Sequence, residues 1–297
     1  TSSRDAYGAA AAFYLAAGYE EAARLRDFYS EGDDLITFTR RFTPERAPDD
    51  QVEAYRLAFE YRDFAAERDF LVACSARFGL GDPGRVVEWA CGPAQHLEHF
   101  GRDRARSLVG VDPSEQMLQA ARRRLDARAE LILADIDERV VRPGADLGFV
   151  PLSSVHLLAR AERIAAFLET ARRSLVPGGV LVIEATHPRD LTPEGTWATD
   201  WRIHERGVEI EARTRFDLAR RVGPTVPVTL SIRSRRDGVV RDHVREMTWY
   251  VPDLAEWEAL ARTAGLEVAA TLGDLDVGTP FTHPSAWRLV LVLRVPR

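Results

Sequence analysis

The chain has 297 residues, 45% of them hydrophobic and 29% charged, with 46 acidic against 40 basic residues and a net charge of −6. That length holds one large α/β domain with additions, or two small domains, around a sizeable core. The net acidity argues against a nucleic-acid partner, which normally meets a basic domain or patch, and the triplet Arg122-Arg123-Arg124 sits at helical spacing as a solvated face.

Residues 6–30 and 51–79 carry alanine-rich amphipathic periodicity and read as helices, separated by Pro44, Pro48 and Asp49-Asp50. Gly81-Asp82-Pro83-Gly84 is a turn that leads into a strand at 85–89. This strand stops at Ala90-Cys91-Gly92-Pro93-Ala94, small residues and proline, where backbone can approach a ligand closely. A second strand at 107–111 runs into Asp112, a carboxylate placed to accept hydrogen bonds from a ribose. Strand, small-residue turn, helix, strand and acid are the grammar of a nucleotide-binding βαβ unit.

A helix at 114–128 starts on Ser114, a good N-cap. Strands at 130–134 and 145–150 and a helix near 161–175 follow. Leu175-Val176-Pro177-Gly178-Gly179 then stops the helix and turns into a buried strand, Val180–Ala185. Between 189 and 249 the period changes to two, as in Val208-Glu-Ile-Glu and Val228-Thr-Leu-Ser, and Asp237-Gly238 offers a hairpin turn. A helix at 252–264, ended by Gly265, and strands near 266–272 and 286–295 close the chain. The absence of any apolar run of bilayer length and of a secretory leader predicts a cytoplasmic protein without a membrane partner. The two cysteines, Cys74 and Cys91, suggest no structural disulfide, and the seven scattered histidines predict no metal site.

The segment E-W-A-C-G-P-A-Q-H at 88–96 resembles motif I of the class I S-adenosylmethionine-dependent methyltransferases. V-D-P-S-E-Q-M-L-Q-A-A at 111–121, A-D-I at 134–136, D-L-G-F-V-P-L-S-S-V-H-L-L at 146–158 and L-V-P-G-G-V-L-V-I-E at 175–184 match that family in order. Y-R-L-A-F-E-Y-R-D at 55–63 and the tail from Gly273 resemble a bacterial small-molecule subgroup, so the likeness covers about residues 51–297. It implies an α/β fold: a Rossmann-like, doubly wound, seven-stranded sheet with an antiparallel last strand. Residues 1–80 would be an N-terminal helical cap, 81–188 the cofactor-binding core, 189–249 an antiparallel insertion serving as substrate lid or dimer contact, and 250–297 the C-terminal part of the core.

The resemblance also implies roles. Glu88 would meet the methionine ammonium, or else cap the following turn. Ala90, Gly92 and Ala94 would let backbone pass the cofactor; alanine stands at two of these positions where glycine is usual, which is tolerable if φ stays negative there. Asp112 would take both ribose hydroxyls. Pro113 and Met117 would pack on the adenine, with Asp135 accepting from its amino group and Ile136 against the ring. Pro151 and Leu152 would floor the pocket near the sulfonium. Tyr55, Tyr61 and Arg62 are candidates to close it from the N-terminal side, Arg62 against the methionine carboxylate. His156 has the pKa range of a general base, with a structural role at a helix start as the alternative. His187, Trp197, Trp201, His204 and Trp249 are the candidates for the acceptor pocket.

The expected reaction is methyl transfer from S-adenosyl-L-methionine to a small-molecule acceptor in specialised metabolism, leaving S-adenosyl-L-homocysteine, with nitrogen preferred over oxygen or carbon. The F-V-P-L-S-S segment lacks the pattern of enzymes that methylate base amino groups. An NAD-dependent oxidoreductase is the rival, although Gln95 stands where its third glycine would be. A binding protein of the same fold that does not methylate is a further alternative, and the insertion is a candidate homodimer contact because antiparallel edges invite pairing.

Overall fold

The computed structural model describes residues 8–16, 20–39, 50–101, 106–125, 129–191, 196–205 and 207–297. The chain divides into two units, Thr1–Ala47 and Pro48–Arg297. The first contains helix α1 (Gly8–Ala16) and a hairpin of β1 (Glu20–Ser30) and β2 (Asp33–Thr39). The helix expected over 6–30 is therefore corrected. Glu20–Ser30 has the alanine and charge content of a helix, but it pairs with the alternating Leu35-Ile36-Thr37-Phe38, and non-local pairing overrides weak local propensity. The Pro44, Pro48 and Asp49 spacer lies outside the described residues.

In the second unit the helix expected over 51–79 is broken into α2 (Asp50–Ala58) and α3 (Phe64–Phe78). Asp63 makes the break by capping α3, its side chain accepting from the Ala66 amide at 2.9 Å. The core then runs β3 (Arg85–Trp89), α4 (Gln95–Phe100), β4 (Ser107–Asp112), α5 (Glu115–Leu125), β5 (Ala129–Leu133), β6 (Ala145–Val150), α6 (Ala161–Ser174) and β7 (Leu175–Thr186). After a four-stranded insertion, β8 (Thr196–Glu205), β9 (Val208–Asp217), β10 (Thr225–Arg236) and β11 (Val239–Tyr250), it finishes with α7 (Leu254–Thr263), β12 (Glu267–Leu272) and β13 (Arg288–Arg294).

The main sheet has the order β12-β13-β7-β6-β3-β4-β5, parallel except for β13, which is antiparallel to both its neighbours. Alternation sorts its side chains to two faces. Val87, Trp89, Val109, Leu181 and Leu291 pack under α6 and α7, while Val86, Leu108, Leu147, Phe149 and Val182 pack under α3, α4 and α5. Both faces are covered, so the strands read as continuous apolar runs. Burial of each such side chain contributes about 1.5–3 kcal/mol. Gly148 is required by close approach: a Cβ there would stand 2.9 Å from Cη2 of Trp89 and closer still to Cζ3.

The insertion is a meander in the order β11-β10-β9-β8. Asp237 and Gly238 both take positive φ, 50° and 77°, the type I′ geometry that their dipeptide predicts. Val208, Ile210, Ala212, Leu230 and Ile232 from one face of this sheet bury Ala54, Leu57 and Ala58 of α2.

Candidate active site

Chain topology opens a crevice at the carboxyl ends of β3 and β6. These strands are neighbours, yet α4 after β3 packs on one face and α6 after β6 on the other. Such a switch point is where doubly wound sheets bind ligands. Two turns line it, Ala90–Ala94 and Pro151–Ser153. The condition under which alanine would be easy at 90 and 94 is not met: they stand at φ 57° and 60°, and Leu152 and Ser153 at 59° and 55°. Each left-handed non-glycine residue costs about 1–2 kcal/mol, and such strain collects at ligand sites.

Asp112 ties the first turn to β4. Its Oδ2 accepts from the Gly92 amide at 2.8 Å and its Oδ1 from the Ser114 amide at 2.9 Å. Each oxygen keeps a second lone pair, enough to accept a ribose hydroxyl. Burial raises this carboxyl from its ordinary value against the pull of the two amides. The position of a Cβ on Gly92 is open, with only Met117 Sδ at 4.0 Å, while Pro113 is exposed. Asp135 is partly exposed and pairs with Arg163 at 3.3 Å; Ile136 is buried in the core beside it.

Glu88 alternates onto the α4 face, 1% exposed. Its Oε1 lies 3.3 Å from His96 Nδ1, and its Oε2 is buried without a partner. An orphaned carboxylate oxygen at the root of the turn suits the ammonium of a methionine moiety, because a buried acceptor left unpaired is costly. From Glu88 a buried ionic chain runs outward. His96 Nε2 lies 2.7 Å from Glu67, which Arg62 grips with two bonds of 2.7 and 2.8 Å. Arg62 makes two more, at 3.1 and 2.9 Å, to Glu184, which also takes Arg288 at 2.6 Å and the Leu152 amide at 2.8 Å. Burial opposes charge on His96, but Glu67 and Glu88 hold it up to about 9. Burial would likewise raise Glu184, yet Arg62 and Arg288 pull it down to about 2. The role expected for Arg62 is therefore corrected: four of its five N–H donors are taken by Glu67 and Glu184, so its charge is already paired within the protein.

Beyond this chain lies a cleft of about 540 Å³ between the ends of β6 and β7 and the inner face of the insertion. Phe59, Tyr61, Trp201, Phe216, Trp249 and Trp287 supply rings, Leu152, Ser153 and Thr186 the floor, and Asp190 a carboxylate. Trp201 and Trp249 both line this cleft. His204 is not, because it is exposed near the far end of β8 opposite Glu209. His187 is turned away from the cleft lining, stacked on Phe281 at 4.6 Å with its Nδ1 accepting from the Arg189 amide. Trp197 lies in β8 opposite Phe216, with its side chain outside the described residues. Tyr55 is part-buried beside Phe59, and burial raises its hydroxyl to about 12.

The general-base role expected for His156 is also corrected. The imidazole is fully buried, its Nδ1 donating to the Tyr250 carbonyl at 2.7 Å and its Nε2 accepting from the Thr186 amide at 3.1 Å. Burial lowers it to about 4, and stacking on Trp249 at 5.3 Å completes a neutral pin between β7 and β11. Sequence reasoning missed Glu67, His96, Glu184, Trp287, Arg288 and Asp190. The V-I-E strand end and the Trp287-Arg288 pair were visible signals, but nothing local shows that Arg288 lies over the Trp287 ring, 3.6 Å from its centroid, while holding Glu184.

Comparison with known proteins agrees with this geometry. Residues 86–179 match a methyltransferase domain. The chain is 29% identical over 241 residues to a dTDP-3-amino-3,4,6-trideoxy-α-D-glucopyranose N,N-dimethyltransferase of Streptomyces venezuelae, covering 78% of this chain and 98% of that one. It is 36% identical over 129 residues to a trans-aconitate 2-methyltransferase of Methylobacterium nodulans, 43% of this chain and 48% of the relative. In fold it is similar to the crystal structure of Streptomyces venezuelae DesVI, with a TM-score of 0.68 at 24% identity over 83% of this chain and 98% of that one. The dinucleotide oxidoreductase reading falls away. The switch-point crevice and the matched domain together support a class I S-adenosylmethionine-dependent methyltransferase.

Proposed function

We propose that the chain methylates a nitrogen of a small-molecule acceptor in specialised metabolism. The observation that carries this reading is the cleft: six aromatic rings and a carboxylate beside the turn that closes β6, a setting for a compact cationic group. The Streptomyces venezuelae relative, which is an amino-sugar N,N-dimethyltransferase by name, supports it.

In this proposal Asp112 holds the ribose, Glu88 the methionine ammonium and Asp135 the adenine amino group, with Met117, Pro113 and Ile136 packing on the base. The strained turns Ala90–Ala94 and Pro151–Leu152 bring backbone to the cofactor. When bound, S-adenosylmethionine supplies a methyl group already activated on sulfur, so the protein's work is alignment and exclusion of water. Glu184 fixes the floor by accepting from the Leu152 amide, and the 189–249 insertion roofs the cleft. In this reading the acceptor is a small molecule and not a nucleic acid; the pairing of Arg62 and Arg288 with carboxylates supports it.

The test is product analysis by mass spectrometry with S-adenosylmethionine and matched sets of primary amines, alcohols and carboxylic acids, trans-aconitate among them. N-methylated product is expected. Methyl ester or ether with no methylated amine overturns the reading.

A further inference from the structure

Among the described residues the charged groups of the cleft wall are paired, with one exception. Arg62 is held by Glu67 and Glu184, Arg288 by Glu184, and Asp200 by Arg213. Asp190 differs. It sits in the 3-10 turn Pro188–Leu191 that follows β7, its backbone fixed by donation from its amide to the His187 carbonyl at 3.0 Å. Its side chain lines the cleft with Trp201, Trp249 and Trp287. Among the described residues no donor reaches its carboxylate. A carboxylate placed among rings without a partner is a site for a cation that the acceptor itself brings.

We propose that Asp190 anchors the acceptor's ammonium group and takes its proton as the nitrogen becomes the nucleophile. The inference rests on the N-methylation reading above. An ammonium nitrogen has no lone pair, so it must lose a proton before it can attack. In the step, the N–H pair returns to nitrogen and the proton goes to an Asp190 oxygen. The nitrogen lone pair then forms the N–C bond while the C–S pair leaves with sulfur, which becomes a neutral thioether. The proton passes from Asp190 to solvent through the open cleft, resetting the carboxylate. His156 cannot take this part, because both its ring nitrogens are engaged by backbone.

Arg189 is the charged neighbour on its own segment, His187 beside it is stacked on Phe281, and Glu184, Arg62, Arg288 and Asp200 line the same cleft. Burial raises the Asp190 carboxyl and Arg189 pulls it back only in part. That direction brings a carboxylate nearer to the range useful for a general base.

The experiment compares the wild type with Asp190→Asn and Asp190→Glu, using the best amine found in the acceptor screen. Binding is read first, by quenching of tryptophan fluorescence in enzyme saturated with S-adenosylhomocysteine, and turnover against pH second. Asp190→Asn is expected to bind S-adenosylhomocysteine as the wild type does and to bind the amine at least ~10-fold more weakly. Its kcat/KM should fall ~100-fold or more, the usual scale of a lost general base, and the acidic limb of the pH profile should move up to the amine's own ionisation. Asp190→Glu should restore part of both. Amine affinity and pH profile within threefold of the wild type in Asp190→Asn would overturn the assignment, as would loss of S-adenosylhomocysteine affinity, which would place the carboxylate with the cofactor. If the wild type methylates alcohols or acids and no amine, the N-methylation reading itself fails and this assignment with it.

Discussion

Replacing Glu184 by Gln isolates the ionic chain that joins the two halves of the site. Glutamine keeps the shape and can still accept from the Leu152 amide, but it removes the charge that Arg62 and Arg288 share. The carboxyl stands at about 2 in the fold against an ordinary 4.5. At about 1.4 kcal/mol per unit, that difference corresponds to about 3 kcal/mol of stability near neutral pH. Because the folded value is depressed, the stabilisation is fully present above 4.5 and is lost as pH falls through about 2. Urea unfolding followed by tryptophan fluorescence should therefore show Glu184→Gln about 3 kcal/mol less stable near pH 7 and pH 5, a drop of roughly 6–12 °C in Tm. The gap should narrow steadily towards pH 2. A cost below about 1 kcal/mol at neutral pH, the value of an exposed pair, would refute the reasoning. So would a gap that stays constant into acid.

Gly148→Ala should cost about 1–3 kcal/mol in thermal or urea unfolding, because the added methyl overlaps the Trp89 ring in a packed sheet; an unchanged midpoint would show that Trp89 gives way freely. Asp112→Ala should weaken S-adenosylhomocysteine binding by ~100-fold, about 2.7 kcal/mol, in calorimetry; an unchanged Kd would remove the carboxylate from the ribose site. His156→Ala should lower stability while leaving the pH dependence of kcat/KM intact, since the imidazole is neutral and backbone-bound. Burial depresses its folded value to about 4, so its neutral form stabilises the protein above 6.5 and becomes a liability as pH falls through 4. A lost basic or acidic limb in the rate profile would return His156 to catalysis.

The βαβ unit was legible because its signals are local. An apolar strand, a turn of small residues and an acid at the end of the next strand lie within 85–112, and the structure brings them together through Gly92 and Asp112. The Asp237-Gly238 hairpin was legible for the same reason, since a type I′ turn is fixed by two residues. Residues 20–30 were misread because their strand character resides in a partner strand and not in alanine content. The positive φ of Ala90 and Ala94 was not legible because strain is imposed by packing around the turn, which residue type alone does not report.

The sequence by itself determined the order of strands and helices in the core from residue 85 onward and the small-residue turn after its first strand, which follow from periodicity and spacing within contiguous segments. Tertiary structure decided what the polar side chains do. Arg62 meets Glu184 across 122 residues, Arg288 meets it across 104, and His156 is taken by a carbonyl 94 residues away. Whether an arginine waits for a ligand or serves a neighbour, and whether a histidine can titrate, depends on which distant group shares its dry surroundings. That partner is chosen by the packing of whole elements, and the local pattern carries no record of it.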